Sequence, residues 1–194
     1  MKKENEKRKK QAKLLRTFRK VHRMTGAALF VFFFIVAITA LLLGWKKNSY
    51  GIILSKTQTG TSIDLKKWLP LDSLHQKATS YLLDSVSDEL SIAIERIDVR
   101  KNKGIVKFVF ANYYGVQLDG VTGNLLLIER RRSDFIEGIH DGSVLDVYFK
   151  TNGNPIKLVY TTIMSLSLLT FTITGFWLWL GPKRMRKSAE KQVG

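Results

Sequence analysis

Two stretches of the chain carry no charge over more than twenty residues, and the positions between them alternate on shorter periods. Residues 25–45 read TGAALFVFFFIVAITALLLGW and residues 158–180 read LVYTTIMSLSLLTFTITGFWLWL. About twenty apolar residues in a helix cross a hydrocarbon core of roughly 30 Å, so each run predicts a transmembrane helix. The first run is too long for a typical signal h-region. Lys46 and Lys47 follow it directly, with no small-x-small cleavage site, so it reads as a permanent span. The rival for each run is the core helix of a soluble protein, but nothing else in 194 residues is large enough to bury two of them. Trp45, Tyr160, Trp177 and Trp179 fall near the run ends, where amphipathic rings favour the interface. Ahead of the first run, Leu15, Phe18 and His22 recur at helical spacing and predict a helical lead-in.

Between the spans the pattern changes to that of a folded module. Residues 50–56 (YGIILSK) fit either a short strand or an exit segment. Pro70 announces a helix, with Asp72 as the expected N-cap and Leu74, Ala78, Tyr81 and Leu82 on one face. Period-two alternation follows around Ile94, Ile97 and Val99, then through Val106, Phe108 and Phe110. A last stretch, residues 114–130, holds two short strands or one hairpin about a turn at Asp119–Gly123. KNKG at 101–104 supplies another turn. One helix followed by an antiparallel meander predicts a small α+β layer module. Residues 133–157 mix Phe135, Ile136, Ile139 and Leu145 with charge, and read as a segment lying near the membrane surface.

The expected organisation is therefore a basic tail (1–24), a span (25–45), an α+β domain (46–132), a membrane-proximal segment (133–157), a second span (158–180) and a second basic tail (181–194). Charge then decides the topology. The net charge of +16 would suit a nucleic-acid binder, but the excess sits in the two tails. Residues 1–24 hold eleven Lys/Arg against two Glu and residues 181–194 five against one, whereas residues 46–157 hold sixteen against thirteen acids. Juxtamembrane Lys and Arg stay on the cytoplasmic side, so both termini are expected there and the domain outside. No nucleic-acid partner is expected. There is no cysteine, which excludes disulfides and thiolate metal sites, and the three histidines are His22, His75 and His140.

Four motifs in order carry a family resemblance: His22-Arg23-Met24-Thr25-Gly26 at the head of the first span, Asp119-x-x-Thr122-Gly123 in the meander, Ile139-His140-Asp141-Gly142 before the second span, and TGFWLWLGPKR (174–184) at its end. The chain resembles the PepSY-associated transmembrane family over nearly its whole length. The resemblance implies a bacterial inner-membrane protein with a periplasmic PepSY-like domain. It also implies a link to ferric-siderophore reduction or iron uptake, with haem b bound through histidine. Known reductases of that kind are larger, with four or more spans.

His22 and His140 are the candidate haem ligands that the resemblance points to, since imidazole is a common axial ligand. The plainer readings are an interfacial histidine anchoring the helix beside Arg23, and a turn residue between Gly138 and Gly142. The two are expected on opposite sides of the membrane, so bis-histidine ligation requires a homodimer in which each histidine meets its copy, or a partner subunit that supplies the other ligands. Arg130, Arg131 and Arg132 offer planar forks for haem propionates, an anionic ferric siderophore or lipid head groups, the plainer reading being a solvated face. Asp141 is expected to orient His140. Ser167, Thr170 and Thr174 share a face of the second span, and Ala40 with Gly44 forms a small-xxx-small pair in the first; both suit helix packing in lipid. No nucleophile elbow, phosphate loop or HExxH occurs, which argues against a hydrolase. Two functions compete: a haem-bearing electron-transfer component of ferric-chelate reduction, and a non-enzymatic PepSY anchor that binds or restrains a partner such as a periplasmic peptidase.

Overall fold

The computed structural model describes residues 2–87 and 89–190, so the last residues of the C-terminal basic tail, 191–194, lie outside the described residues. The chain forms α1 (Lys2–Gly44), α2 (Leu71–Ser85), β1 (Ile94–Arg100), β2 (Ile105–Phe110), β3 (Tyr114–Asp119), β4 (Leu125–Arg130), α3 (Arg132–Asp141), α4 (Ser143–Phe149) and α5 (Pro155–Glu190). Two compact units divide it: residues 39–138, and residues up to 38 together with those from 139 on.

In the first of these, β1 to β4 form an antiparallel meander in chain order. Side chains alternate between its two faces, so Val106, Phe108, Phe110, Val116 and Leu118 project together onto one side. Leu74, Ala78 and Leu82 of α2 repeat at four-residue spacing and close over them as the core, with Tyr81 packed at its margin. The helix starts one residue after Pro70, which takes the N-cap position; Asp72 sits in the first turn, not at the cap, and accepts from Gln76 Nε2 at 3.0 Å. Pro70 prevails because its carbonyl accepts the Leu74 N–H at 3.1 Å, opening the helix two residues earlier than expected.

The opposite sheet face carries Ile105 and Val109 together with polar residues and is equally buried. Lys107, Gln117, Asp119 and Glu129 project there and keep at most 7% of their surface. What covers them is an extended strap, residues 56–61, that makes no strand of its own. Gln58 N–H donates to Gln117 Oε1 at 3.0 Å, Gln117 Nε2 donates to the Lys56 carbonyl at 3.2 Å, and Lys107 Nζ donates to Thr57 Oγ1 at 3.0 Å. Thr61 gives both its N–H, at 2.8 Å, and its hydroxyl to Asp119 Oδ2. The strap runs so close to the β1–β2 turn that a Cβ on Gly60 would stand 2.2 Å from the Gly104 carbonyl oxygen. Residues 50–55 ahead of it are turns and bends, so of the two readings of YGIILSK the exit segment holds.

Behind the strap runs a chain of ion pairs. Lys107 Nζ lies 3.9 Å from Glu129, Glu129 lies 3.6 Å from Arg131, and Arg131 grips Asp134 with two bonds of 2.7 and 3.0 Å. Burial pushes the Lys107 ammonium below its usual range, with Glu129 opposing and Arg131 adding to the shift.

In the other unit, α1 and α5 are continuous far beyond the expected spans. The basic tail is rich in Lys and Arg, both good helix formers, so α1 extends back through it. At the other end α5 runs on through Pro182 to Glu190, past the expected end of the span at residue 180. Leu15 lies over Gly181 there, so close that a Cβ would meet its Cδ2 at 2.3 Å, and this packing carries the helix past the proline. Only 6% of the first apolar window and 11% of the second is buried, which removes the soluble-core-helix reading.

The segment 133–157 folds as the two short helices α3 and α4, hinged at Gly142 with φ +81°. Its anchor is Asp146, 1% exposed, which accepts from the Ile156 N–H at 3.0 Å, the Lys157 N–H at 2.7 Å and the Thr151 hydroxyl. Those two amides belong to the first turn of α5, where unpaired donors and the helix dipole favour a carboxylate. Burial alone would raise the Asp146 carboxyl; the hydrogen bonds from Thr151, Lys157 and Ile156 outweigh it and hold the group below the usual carboxylate range.

Candidate functional site

The antiparallel pair of α1 and α5 is pinned by a series of side-chain contacts. Phe32 meets Tyr160 edge-on at 6.3 Å, Phe33 meets Phe171 at 5.9 Å, and Phe18 meets Trp177 at 6.2 Å. Between the last two lies His22. Its ring stacks on Phe171 with centroids 3.8 Å apart, and its Nδ1 is 3.0 Å from the Thr174 hydroxyl. Gly26, one turn on, faces the same Phe171 ring, and a Cβ on Gly175 would stand 3.3 Å from His22 Cε1. The first and last of the four sequence motifs, 152 residues apart, therefore meet at one place.

The hydrogen bonds assign the histidine tautomer. Thr174 is buried, and its Oγ1 donates its single proton to the Thr170 carbonyl oxygen one turn back, at 2.7 Å. With that proton spent, Oγ1 accepts from His22, so Nδ1 carries the hydrogen and Nε2 keeps its lone pair. An imidazole whose far nitrogen is held by a neutral acceptor, with the near one bare, is the arrangement metal-ligating histidines use. In that tautomer Nε2 is the nitrogen His22 could offer to a metal. Sequence reasoning selects His22 but not Thr174 as its partner, although Thr174 opens the last of the four motifs and belongs to the hydroxyl stripe assigned to packing. Of the small residues singled out for packing, Gly44 faces open space, and the close helix contacts fall to Gly26, Gly175 and Gly181.

His140 stands in the last turn of α3, two residues before the hinge at Gly142, whose Cα abuts the Tyr160 ring. Asp141 accepts from Lys157 Nζ at 2.6 Å and from the Ser143 N–H at 2.9 Å, a structural pairing at the foot of α5. Tyr160 and Thr174 are fourteen residues apart on one helix, which at 1.5 Å per residue separates the surroundings of His140 and His22 by about 20 Å. The two imidazoles are not brought to one metal. Among the described residues no three His, Cys, Asp or Glu side chains gather in metal-binding geometry.

The arginine triplet is split by the turn from β4 into α3. Arg131 is committed to Asp134 and Glu129, while Arg130 is exposed and Arg132 donates to the Ile52 carbonyl at 3.2 Å. Arg130 and Arg132 line an open groove of ≈ 380 Å³ with Lys56 and Tyr50. His75 lies on α2, its ring stacked on Phe108 at 6.0 Å, one turn before the buried Thr79 hydroxyl, which has no hydrogen-bond partner among the described residues.

The Asp119-x-x-Thr122-Gly123 motif is a turn-building device. Asp119 Oδ1 accepts from the Val121 and Thr122 N–H groups at 2.7 and 3.2 Å, the Thr122 hydroxyl accepts from Asn124, and Gly123 takes φ +69°.

The profile of a family described as "PepSY-associated TM region" matches residues 1–181. No curated protein matches the chain, and no solved structure does.

Proposed function

The chain belongs to the PepSY-associated transmembrane family, and from that premise we propose that it is a haem b-binding electron-transfer component, with His22 supplying an axial ligand within the helix pair. The reading places the protein in the bacterial inner membrane, termini inside and sheet domain outside, assisting ferric-siderophore reduction or iron uptake. The observation that carries it is the His22–Thr174 hydrogen bond, which leaves Nε2 bare between two helices lined with small residues.

Bound there, haem b would supply reversible one-electron transfer. The chain's own contribution is orientation. Thr174 would fix which nitrogen is offered to the iron, Phe171 covers one face of the imidazole and holds its plane, and Gly175, lacking a Cβ, lets α5 approach the Cε1 edge closely. A second imidazole comes from another copy of the chain or from a partner subunit, because His140 is about 20 Å away along α5.

The test is an absorption spectrum of detergent-purified protein from haem-replete cells, oxidised and then dithionite-reduced. Sharp b-type bands are expected in wild type and are lost in His22→Ala. Thr174→Val is expected to weaken haem retention about 10- to 100-fold while leaving helix content unchanged. A colourless wild-type protein, or a His22→Ala variant with full haem content, refutes the reading and leaves the membrane-anchored binding module.

A further inference from the structure

Beyond His22, towards the basic end of the helix pair, α1 and α5 part around an open groove of ≈ 350 Å³. Its floor is apolar, formed by Ala12, Leu15 and Met185, and its rim carries Arg16, Arg19 and Arg186. The helix period explains the grouping. Arg16 and Arg19 are three apart and share a face of α1, while Leu15 packs across the groove against Gly181. All three guanidinium groups are exposed, and none has an acidic partner among the described residues. Other basic side chains at this level are occupied: Lys183 stacks on Trp179 at 3.9 Å and Arg184 on Trp177 at 5.8 Å. Three convergent cations above an apolar cleft, where two spanning helices leave the hydrocarbon, match an amphiphile with an anionic head and an acyl chain.

We propose that this groove is a binding site for one anionic phospholipid, its phosphodiester held by Arg16, Arg19 and Arg186 and its acyl chain laid over Leu15 and Met185. Guanidinium forks match phosphate oxygens in pairs, and basic pockets between spanning helices bind anionic head groups. The site requires only that the helix pair spans a bilayer, so it goes beyond the haem reading and survives that reading's failure.

The experiment is native mass spectrometry of the full chain in detergent, titrated with phosphatidylglycerol and, separately, phosphatidylcholine. One phosphatidylglycerol per chain is expected to bind in preference to phosphatidylcholine. Three Arg→Gln changes at 16, 19 and 186 are expected to weaken it on the order of 100-fold, from about 1 kcal/mol per basic residue. Ala12→Trp keeps every charge, fills the groove, and is expected to weaken binding as well. Lys10→Gln, Lys13→Gln and Lys20→Gln together remove the same charge outside the groove and are expected to leave binding intact. Equal affinity for the two lipids, or an equal loss in the lysine variant, means diffuse charge attraction and overturns the site. So does Ala12→Trp binding as wild type, or full displacement by millimolar inorganic phosphate, since then the apolar floor takes no part.

Discussion

Removing the Asp119 carboxylate is expected to free the strap from the sheet and loosen the β3–β4 turn together. In the wild type one carboxylate, 5% exposed, accepts from three backbone N–H groups and one hydroxyl. A hydrogen bond to a charged group contributes about 1.5–3 kcal/mol net. In Asp119→Ala the Val121 and Thr122 amides lie in a surface turn and regain water, which offsets most of their loss, while the Thr61 pair loses its partner outright. Those two bonds, each at the low end of the range, contribute about 3 kcal/mol, which shortens amide protection of the strap by roughly 150-fold. Hydrogen exchange on the full chain in detergent reads this locally, in peptides covering 57–62 and 116–124, with the α2 core (74–82) as internal control. Asp119→Asn separates the two roles. It can keep Oδ1 for Val121 and Thr122 but places an NH₂ against the Thr61 N–H, so the turn should stay protected while the strap exchanges fast. Acid should do the same to the wild type. Burial would raise the Asp119 carboxyl, but its bonds from Thr61, Val121 and Thr122 hold it below the ordinary value. A depressed folded pKa means the contribution is complete above the unfolded value of about 3.9 and is lost as pH falls through the folded one, so the strap should open only below about pH 4. Exchange within threefold of wild type in both segments for Asp119→Ala would refute this account.

Two further predictions concern the same polar face. Glu129→Leu leaves Lys107 and Arg131 buried without their shared carboxylate and should destabilise the domain by about 3–5 kcal/mol, whereas Lys107→Met, which removes a cation already penalised by burial, should cost under about 1 kcal/mol; thermal denaturation of the two variants side by side checks the asymmetry. Gly60→Ala forces a methyl against the Gly104 carbonyl and should cost about 1–3 kcal/mol, seen as strap exchange accelerated with the α2 core unchanged; wild-type protection in residues 57–62 would show that the close approach does not matter.

Much of this protein is legible in its sequence, because the relevant forces are local. An uncharged run of more than twenty residues has to be a lipid-facing helix or a buried one, and the length decides which. The period-two placement of Val106, Phe108 and Phe110 commits those residues to one sheet face, and the Leu74–Ala78–Leu82 spacing supplies the helix that covers them. The turn at Asp119–Gly123 is equally local, since its carboxylate and its left-handed glycine act within five residues. Tertiary structure alone decided the rest, and each instance is a polar group whose partner lies far along the chain. Asp146 caps a helix that starts nine residues later, the strap reaches Gln117 and Asp119 across about sixty residues, and His22 finds Thr174 across 152. Hydrophobic periodicity says which side of an element is buried, but any apolar neighbour satisfies it. A hydrogen bond needs one donor, one acceptor and about 3 Å between them, and no periodicity records which distant residue will stand there. That is why the helices and sheet were predictable from composition and spacing, while the nitrogen that His22 leaves free depended on where α5 came to lie.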